Sequence, residues 1–380
     1  MRNKLQKLSL DSGIYLLGSI FLSGASAFLL IPILVRFLSP EEYGIITVVT
    51  VIATFVMISS SLGMNSSIAN EYHNFGAKSK EFREHLGTIF LFTCIVSVFI
   101  AIITILSRPI LEMAFPSFPF YPFVIGAVII GSGAAVTLMI TATYRIQGRP
   151  IPYVSVASTQ FILSVLTVLI FVVNLDLGAE GKVFGDVLVG IALFVISAVL
   201  ISRESIVGIN IANLRLALSF SIPLMPHMYF SWVLMSADRL IIGKMLDLES
   251  VGIYSLGYQF GMVMFLTLNS IDSGWISIFY ETANNTEESN RTFLARAVEF
   301  YFACVSSGAI LMALIAALLF PFIAVKEFES ALTVVPLVIL GFSFLGFYYM
   351  GVKHLLFKRK TGLISSITII SGLLNILLNV

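Results

Sequence analysis

Apolar residues in this chain neither alternate nor recur every third or fourth position; they run on without interruption. Runs of about twenty apolar residues or more lie at roughly 12–35, 44–68, 86–107, 118–144, 153–175, 183–202, 216–236, 253–280, 294–325, 331–352 and 361–380. At 1.5 Å per residue, one such run is what an α-helix needs to cross a ~30 Å hydrocarbon core. Glycine, proline and serine inside the runs do not argue against helix, because membrane helices tolerate them. A transmembrane barrel would show alternating segments of about ten residues, and the sequence contains none. The pattern therefore predicts an all-α polytopic membrane protein of about eleven spans.

Composition strengthens that reading. Of the 380 residues 58% are hydrophobic and 11% charged, with a mean hydropathy of +0.99. A water-soluble domain cannot hide that much apolar surface. The amino-terminal "MRNKLQKLSLDSG" is basic, but it leads into a run too long for the core of a signal peptide, so it is expected to stay in the mature chain. Cys94 and Cys304 both fall inside apolar runs, which suits helix packing better than a disulfide or a metal site. No metal and no cofactor are expected.

The basic residues set the predicted orientation. With the amino terminus in the cytoplasm, sixteen of the 22 Lys and Arg fall on the inner side: Arg2, Lys4, Lys7, Lys78, Lys80, Arg83, Arg145, Arg149, Arg203, Arg215, Arg291, Arg296, Lys353, Lys358, Arg359 and Lys360. Six fall outside: Arg36, Arg108, Lys182, Arg239, Lys244 and Lys326. Cytoplasmic loops carry the excess of cations. The net charge of +1 hides this asymmetry and points to no nucleic-acid partner.

An internal repeat runs through the chain. "VRFLSPEEYGII" from Val35 aligns with "GKMLDLESVGIY" from Gly243 at a shift of 208, pairing Arg36 with Lys244, Leu38 with Leu246, Glu41 with Glu249, Gly44 with Gly252 and Ile45 with Ile253. At a shift of 210, Glu71 meets Glu281, Asn74 meets Asn284, Ser79 meets Ser289 and Cys94 meets Cys304. At 212, Pro109 meets Pro321. The repeat predicts two pseudo-symmetric six-span lobes, residues 1–208 and 209–380. An even number of spans gives both lobes the same orientation, related by an axis along the membrane normal. A complete second lobe calls for a further span near residue 420, so this lobe is expected to be truncated.

Against this frame the intramembrane charges stand out. Asp238 and Arg239 are adjacent and align with Leu30 and Ile31, inside the first run. At hydrocarbon depth an ionisable residue costs at least ~3 kcal/mol unless it faces a polar cavity or a partner. The pair is either self-satisfied, with Arg239 free to snorkel, or it faces a substrate path. His227 precedes Asp238 by eleven residues, about three helical turns, so both could share one face. It is a proton carrier or a hydrogen-bonding partner of a neighbouring helix. Asp272 has no cation near it in sequence, which makes it the candidate for coupling to protons or sodium. Asp186 sits at the outer end of its span. Pro32, Pro223 and Pro226 interrupt the first span of each lobe and predict local weakening there. Gly257 and Gly261 form a GxxxG that predicts close helix packing.

The stretch "ADRLIIGKMLDLESVGIYSLGYQFG" resembles the signature region of polysaccharide flippases, and "RFLSPEEYGIITVVTVI" is similar to the matching first-lobe segment. These proteins are the O-antigen and capsule repeat-unit translocases of the multidrug/oligosaccharidyl-lipid/polysaccharide exporter superfamily. The resemblance implies turnover of a polyprenyl-pyrophosphate-linked oligosaccharide from the inner to the outer leaflet of the cytoplasmic membrane. Membrane lipids, a polysaccharide polymerase and glycosyltransferases are its implied partners. A pyrophosphate headgroup needs a wet, cationic cavity, and arginine matches phosphate through its bidentate fork. On that reading Arg239, held by Asp238, together with Arg215, Arg145 and His227, would bind substrate. Arg145 and Arg215 also read as ordinary cytoplasmic anchors.

Absent motifs narrow the chemistry. The chain has no GxxxxGK[ST] loop, HExxH, Cys-x-x-Cys or nucleophile elbow. It is expected to be no enzyme, drawing instead on an ion gradient, the membrane potential or the substrate's own gradient through alternating access. An ion-coupled exporter of small cationic drugs is the alternative, and its cavity should be acidic. A membrane-embedded acyltransferase or polymerase would need a reactive group on a substantial loop.

Overall fold

The computed structural model describes residues 25–76, 79–116, 118–283, 288–358 and 361–379. These residues are helical nearly throughout, and eight of the helices are long and apolar enough to cross a membrane. The chain is a multi-pass, all-α membrane protein. Arg2, Lys4, Lys7, Lys78, Arg359 and Lys360, and the Asn284 partner of Asn74, lie outside the described residues.

The first lobe opens with α1 (Ala25–Phe37), which contains Pro32, and α2 (Pro40–Ser61). Ser39 starts α2 by accepting a bond from the Glu42 backbone N–H, while the Glu42 carboxylate accepts from the Ser39 N–H. This capping box satisfies two of the amides that every helix start leaves open. Leu62 and Gly63, both at positive φ, turn the chain into α3 (Asn65–Phe75). There follow α4 (Lys80–Leu106), a short α5 (Arg108–Ala114), α6 (Ile125–Ile146), α7 (Pro150–Thr167) and α8 (Gly178–Glu204). Glu42 also accepts from the Ala179 N–H, so one carboxylate serves the starts of both α2 and α8.

The second lobe departs from the expected single seventh span. Its run at 216–236 is split into α9 (Ile211–Ser221), a 3-10 turn at Ile222–Leu224 and α10 (Met225–Met245). Pro223 and Pro226 are the cause, since each lacks the amide that an uninterrupted helix would bond. The helix also continues past residue 236, through Asp238 and Arg239, to Met245. Then come α11 (Leu248–Ala283), α12 (Glu288–Ile323), a 3-10 segment (Lys326–Thr333), α13 (Val334–Phe357) and α14 (Thr361–Asn379).

The two segments aligned in the sequence meet in the packing. Helix α2 and its repeat partner α11 cross at Gly44 and Gly252, and each helix leans on the other's first-turn carbonyl. Asp247, 208 residues after Ser39, caps α11 by accepting from the Ser250 N–H at 2.7 Å. Within the lobes, α6 rests on α8 through Gly133 and Gly190, and α11 rests on α13 through Gly257 and Gly261. Small residues let backbones approach closely where lipid supplies no hydrophobic drive.

Burial divides into three apolar clusters. One joins the two lobes at the end where α2 and α11 begin, and includes Val35, Tyr43, Phe120, Leu248, Val251 and Phe328. Phe328 meets the Tyr43 ring edge-on at 5.7 Å. A second cluster lies inside the first lobe around Ile68, Leu86, Ile140 and Ile201. The third lies inside the second lobe around Leu268, Val305 and Ile339. Among the described residues the lobes thus share a core where α2 and α11 begin. At the other end α9 and α10 also pack on the first lobe, where Ala217 enters its cluster, Met228 lies against Gly63 and Tyr229 bonds Ser59 at 2.9 Å.

Candidate functional site

Asp238 and Arg239 sit on α10 facing α11, and the pair is bound into the fold. Arg239 is only 8% exposed. Its Nη1 donates to the Met235 carbonyl at 2.6 Å and to Asp238 Oδ1 at 3.0 Å. Asp238 Oδ1 also accepts from the Arg239 backbone N–H, and Oδ2 accepts from the Tyr254 hydroxyl. The guanidinium lies 4.1 Å from the centre of the Tyr258 ring and 5.8 Å from that of Tyr254. Both carboxylate oxygens are satisfied and the cation is stacked. That is the condition under which a buried ion pair is tolerated rather than ruinous. Tyr254 and Tyr258 are one helical turn apart, so α11 presents both to the pair on one face.

Beside the pair, α10 borders a cavity of about 300 Å³ whose other walls come from α2, α4, α5, α6 and the start of α11. Arg239, Leu240, Gly243 and Lys244 border it, on positions that share a face of the helix. Its walls are otherwise largely apolar, including Val48, Ile52, Leu111 and Phe115. The acid at its edge, Glu112, is bonded to Arg108 at 2.8 Å. That contact holds the Arg108 guanidinium above its ordinary pKa.

The other residues expected at a common site are scattered. His227 is exposed near the start of α10, about 16 Å of helix from Asp238. Arg215 is exposed on α9. Arg145 is exposed at the end of α6, where its Nη2 bonds the Tyr153 hydroxyl at 3.2 Å and its guanidinium lies 5.2 Å from that ring's centre. These contacts make Arg145 a clamp on the α6–α7 corner. Asp186 pairs with Lys182 one turn earlier on α8.

A second polar cluster lies in the core of the second lobe. Asp272, which has no cation near it in sequence, receives one through space: Lys353 Nζ of α13 lies 2.5 Å from its Oδ1. Lys353 is 4% exposed. Around the pair, Tyr349 bonds Asn269 Oδ1 at 3.2 Å and Tyr301 bonds the Gly346 carbonyl at 3.2 Å. The cluster ties α11, α12 and α13 together. Among the described residues no three His, Cys, Asp or Glu gather in a manner that could hold a metal ion.

Sequence reasoning missed Tyr254, Tyr258, Lys244 and Lys353. The two tyrosines carried a signal in their four-residue spacing after Asp-Arg. Lys353 carried none, because its partner is 81 residues away.

Comparison with known proteins places this arrangement. Residues 33–332 match the family described as polysaccharide biosynthesis protein. The chain belongs to that family. Its fold is that of the MATE transporters of the MOP superfamily. An inward-facing multidrug resistance MATE family transporter aligns with 90% of this chain and 80% of its own at a TM-score of 0.64 and 15% identity. A MATE structure in complex with MaL6 aligns over 90% and 84% at 0.56 and 16%. A complex with MaD5 aligns over 90% and 83% at 0.52 and 17%. No curated protein matches the chain in sequence. At such identities the likeness speaks for the fold, while the family match speaks for polysaccharide biosynthesis.

Proposed function

We propose that this polysaccharide biosynthesis family chain moves a polyprenyl-pyrophosphate-linked oligosaccharide from the inner to the outer leaflet of the cytoplasmic membrane by alternating access. The observation that carries the proposal is the charge of the cavity beside α10. Arg239 there is paired with Asp238 and Glu112 with Arg108, while Lys244 forms no ion pair among the described residues, so the lining carries an excess of positive charge. An anionic headgroup is attracted to such a surface, whereas a cationic drug is repelled by it. That balance favours the lipid-linked saccharide over the small-cation exporter.

With the amino terminus in the cytoplasm, the lobe-joining cluster around Gly44 and Gly252 lies at the outer face. The lobes are then joined at the outer face, and cargo made in the cytoplasm enters beside α9 and α10, whose contacts with the first lobe at Ser59 and Gly63 persist. Arg239 is the fixed cation on the path, held by Asp238 and the two tyrosines. His227, Arg215 and Arg145 lie farther toward the cytoplasmic face, where they attract the headgroup. Asp272 couples transport to an ion by exchanging Lys353 for a proton or sodium, which loosens α11 from α13.

Proteoliposomes carrying a polyprenyl-pyrophosphate oligosaccharide test this reading, with headgroup exposure followed under imposed pH or sodium gradients. The expected result is protein-dependent transfer, with no transport of a cationic dye. Dye efflux without saccharide transfer would reverse the assignment.

A further inference from the structure

We infer that the cavity between α2, α4, α5 and α10 binds the isoprenyl phosphate end of a carrier lipid, with Lys244 as the mobile cation that meets the phosphate. This inference rests on the lipid-linked saccharide reading and goes beyond it, giving the lipid itself a seat apart from the saccharide. The cavity is the right kind of place. Its volume of about 300 Å³ is at the small end for ligand pockets. That suits one end of a hydrocarbon chain rather than a bulky sugar headgroup. The walls from α2, α4 and α5 offer Ile52, Ile100, Leu111 and Phe115 to such a chain.

The cations lie on one side of the cavity, where α10 sets Arg239 and Lys244 five residues apart, and the acid on the α5 side, Glu112, is paired with Arg108 at 2.8 Å. The two cations differ in state. Arg239 is buried and committed to Asp238 and Met235. Lys244 is exposed, lies 6.0 Å from the Phe115 ring centre and forms no ion pair among the described residues. A flexible ammonium beside an apolar pocket complements a phosphate at the end of an apolar chain.

The position also fits access from the bilayer. Helix α4 exposes Val98, Phe99, Ile102 and Ile103 toward lipid. The α5 helix that closes the pocket has no buried residue and carries the exposed Arg108–Glu112 pair. Such a segment belongs at headgroup level, where a lipid phosphate would sit.

The test uses the whole protein in nanodiscs and a polyprenyl monophosphate bearing a diazirine in its first isoprenyl units, without any saccharide. Photolabelling should fall on peptides of α4, α5 and the carboxyl end of α10. Excess unlabelled polyprenyl phosphate should compete; polyprenol, inorganic phosphate and a diacyl phosphate lipid should not. Lys244→Glu should lower the labelling at least ~10-fold and Lys244→Arg should retain it. Ile100→Trp, which fills the pocket without touching charge, should lower it as well. Labelling spread over all lipid-facing helices, equal competition by the diacyl lipid, or indifference to Lys244→Glu in a protein of normal melting temperature would each overturn the inference. Because no transfer step is involved, labelling here without saccharide transfer would sink the flippase reading alone. Transfer with labelling elsewhere would sink the pocket alone.

Discussion

Gly44 and Gly252 meet across the lobe interface with no room for a side chain on either. A Cβ on Gly44 would lie 1.9 Å from the Leu248 carbonyl oxygen, and one on Gly252 would lie 1.8 Å from that of Pro40. Glycines and carbonyls are both related by the 208-residue shift, so the contact is its own mirror under the pseudo-twofold axis. Backbone against backbone is a contact that either forms completely or separates, which suits two lobes that part and rejoin.

Gly44→Ala or Gly252→Ala should therefore each weaken the closed junction by about 1–3 kcal/mol. The double variant should cost less than the sum, since both substitutions break one contact. Thermal unfolding in detergent of the three variants checks this; strict additivity would mean that the two helices do not bear on one another there.

The Asp238–Arg239 node predicts an unequal series. Asp238→Asn or Arg239→Met alone should cost about 3–5 kcal/mol, because each leaves the other charge buried, while the double change should cost clearly less. Tyr254→Phe removes one donor from Asp238 and should cost about 1–3 kcal/mol. A double-mutant cycle on unfolding midpoints decides the matter. Single variants as stable as wild type would show that the pair is hydrated and not structural.

Asp272→Asn should leave Lys353 buried without its anion and abolish the dependence of transport on an ion gradient, while exchange down the substrate gradient persists. The pair Asp272→Leu with Lys353→Met should restore stability but not coupling. Transport assayed with and without a pH or sodium gradient separates the two effects. Full gradient dependence in Asp272→Asn would remove Asp272 from the coupling role.

The cap on α11 gives a pH prediction. The Ser250 backbone N–H, and then its hydroxyl, hold the Asp247 carboxyl below its ordinary range. A carboxyl lowered on folding contributes stability above its unfolded pKa and loses it as the pH falls through the folded value. Asp247→Ala should cost about 1 kcal/mol at pH 7, and the difference from wild type should shrink as the pH falls below about 4. Melting curves of both proteins at the two pH values check the sign.

Much of the architecture was legible because its causes are local or repeated. Membrane spans follow from runs of apolar residues, and the lobe contact follows from a repeat in which a symmetric junction demands glycine at both 44 and 252. The break at Ile222–Leu224 was half legible: Pro223 and Pro226 announce it, but hydropathy runs straight across. The apolar run stops at 236, yet the repeat already put Asp238 and Arg239 at hydrocarbon depth; hidden were the continuation of α10 to Met245 and the tyrosines, Tyr254 and Tyr258, that receive the pair. Lys353 reaches Asp272 only through tertiary packing, which leaves no periodic trace. For Arg145, no local pattern could tell that it is engaged with Tyr153.

Alternating access in this chain requires lobes that part and rejoin about the Gly44–Gly252 junction. Spin labels at Glu81→Cys and Lys358→Cys, one exposed position in each lobe, measure the separation at the opposite end, with Cys94 and Cys304 replaced by serine. Pulsed dipolar spectroscopy should find two distances, the longer dominant at rest. The shorter should gain population with lipid-linked oligosaccharide and in Gly44→Ala. A single distance, unmoved by substrate and by Gly44→Ala, would contradict the mechanism.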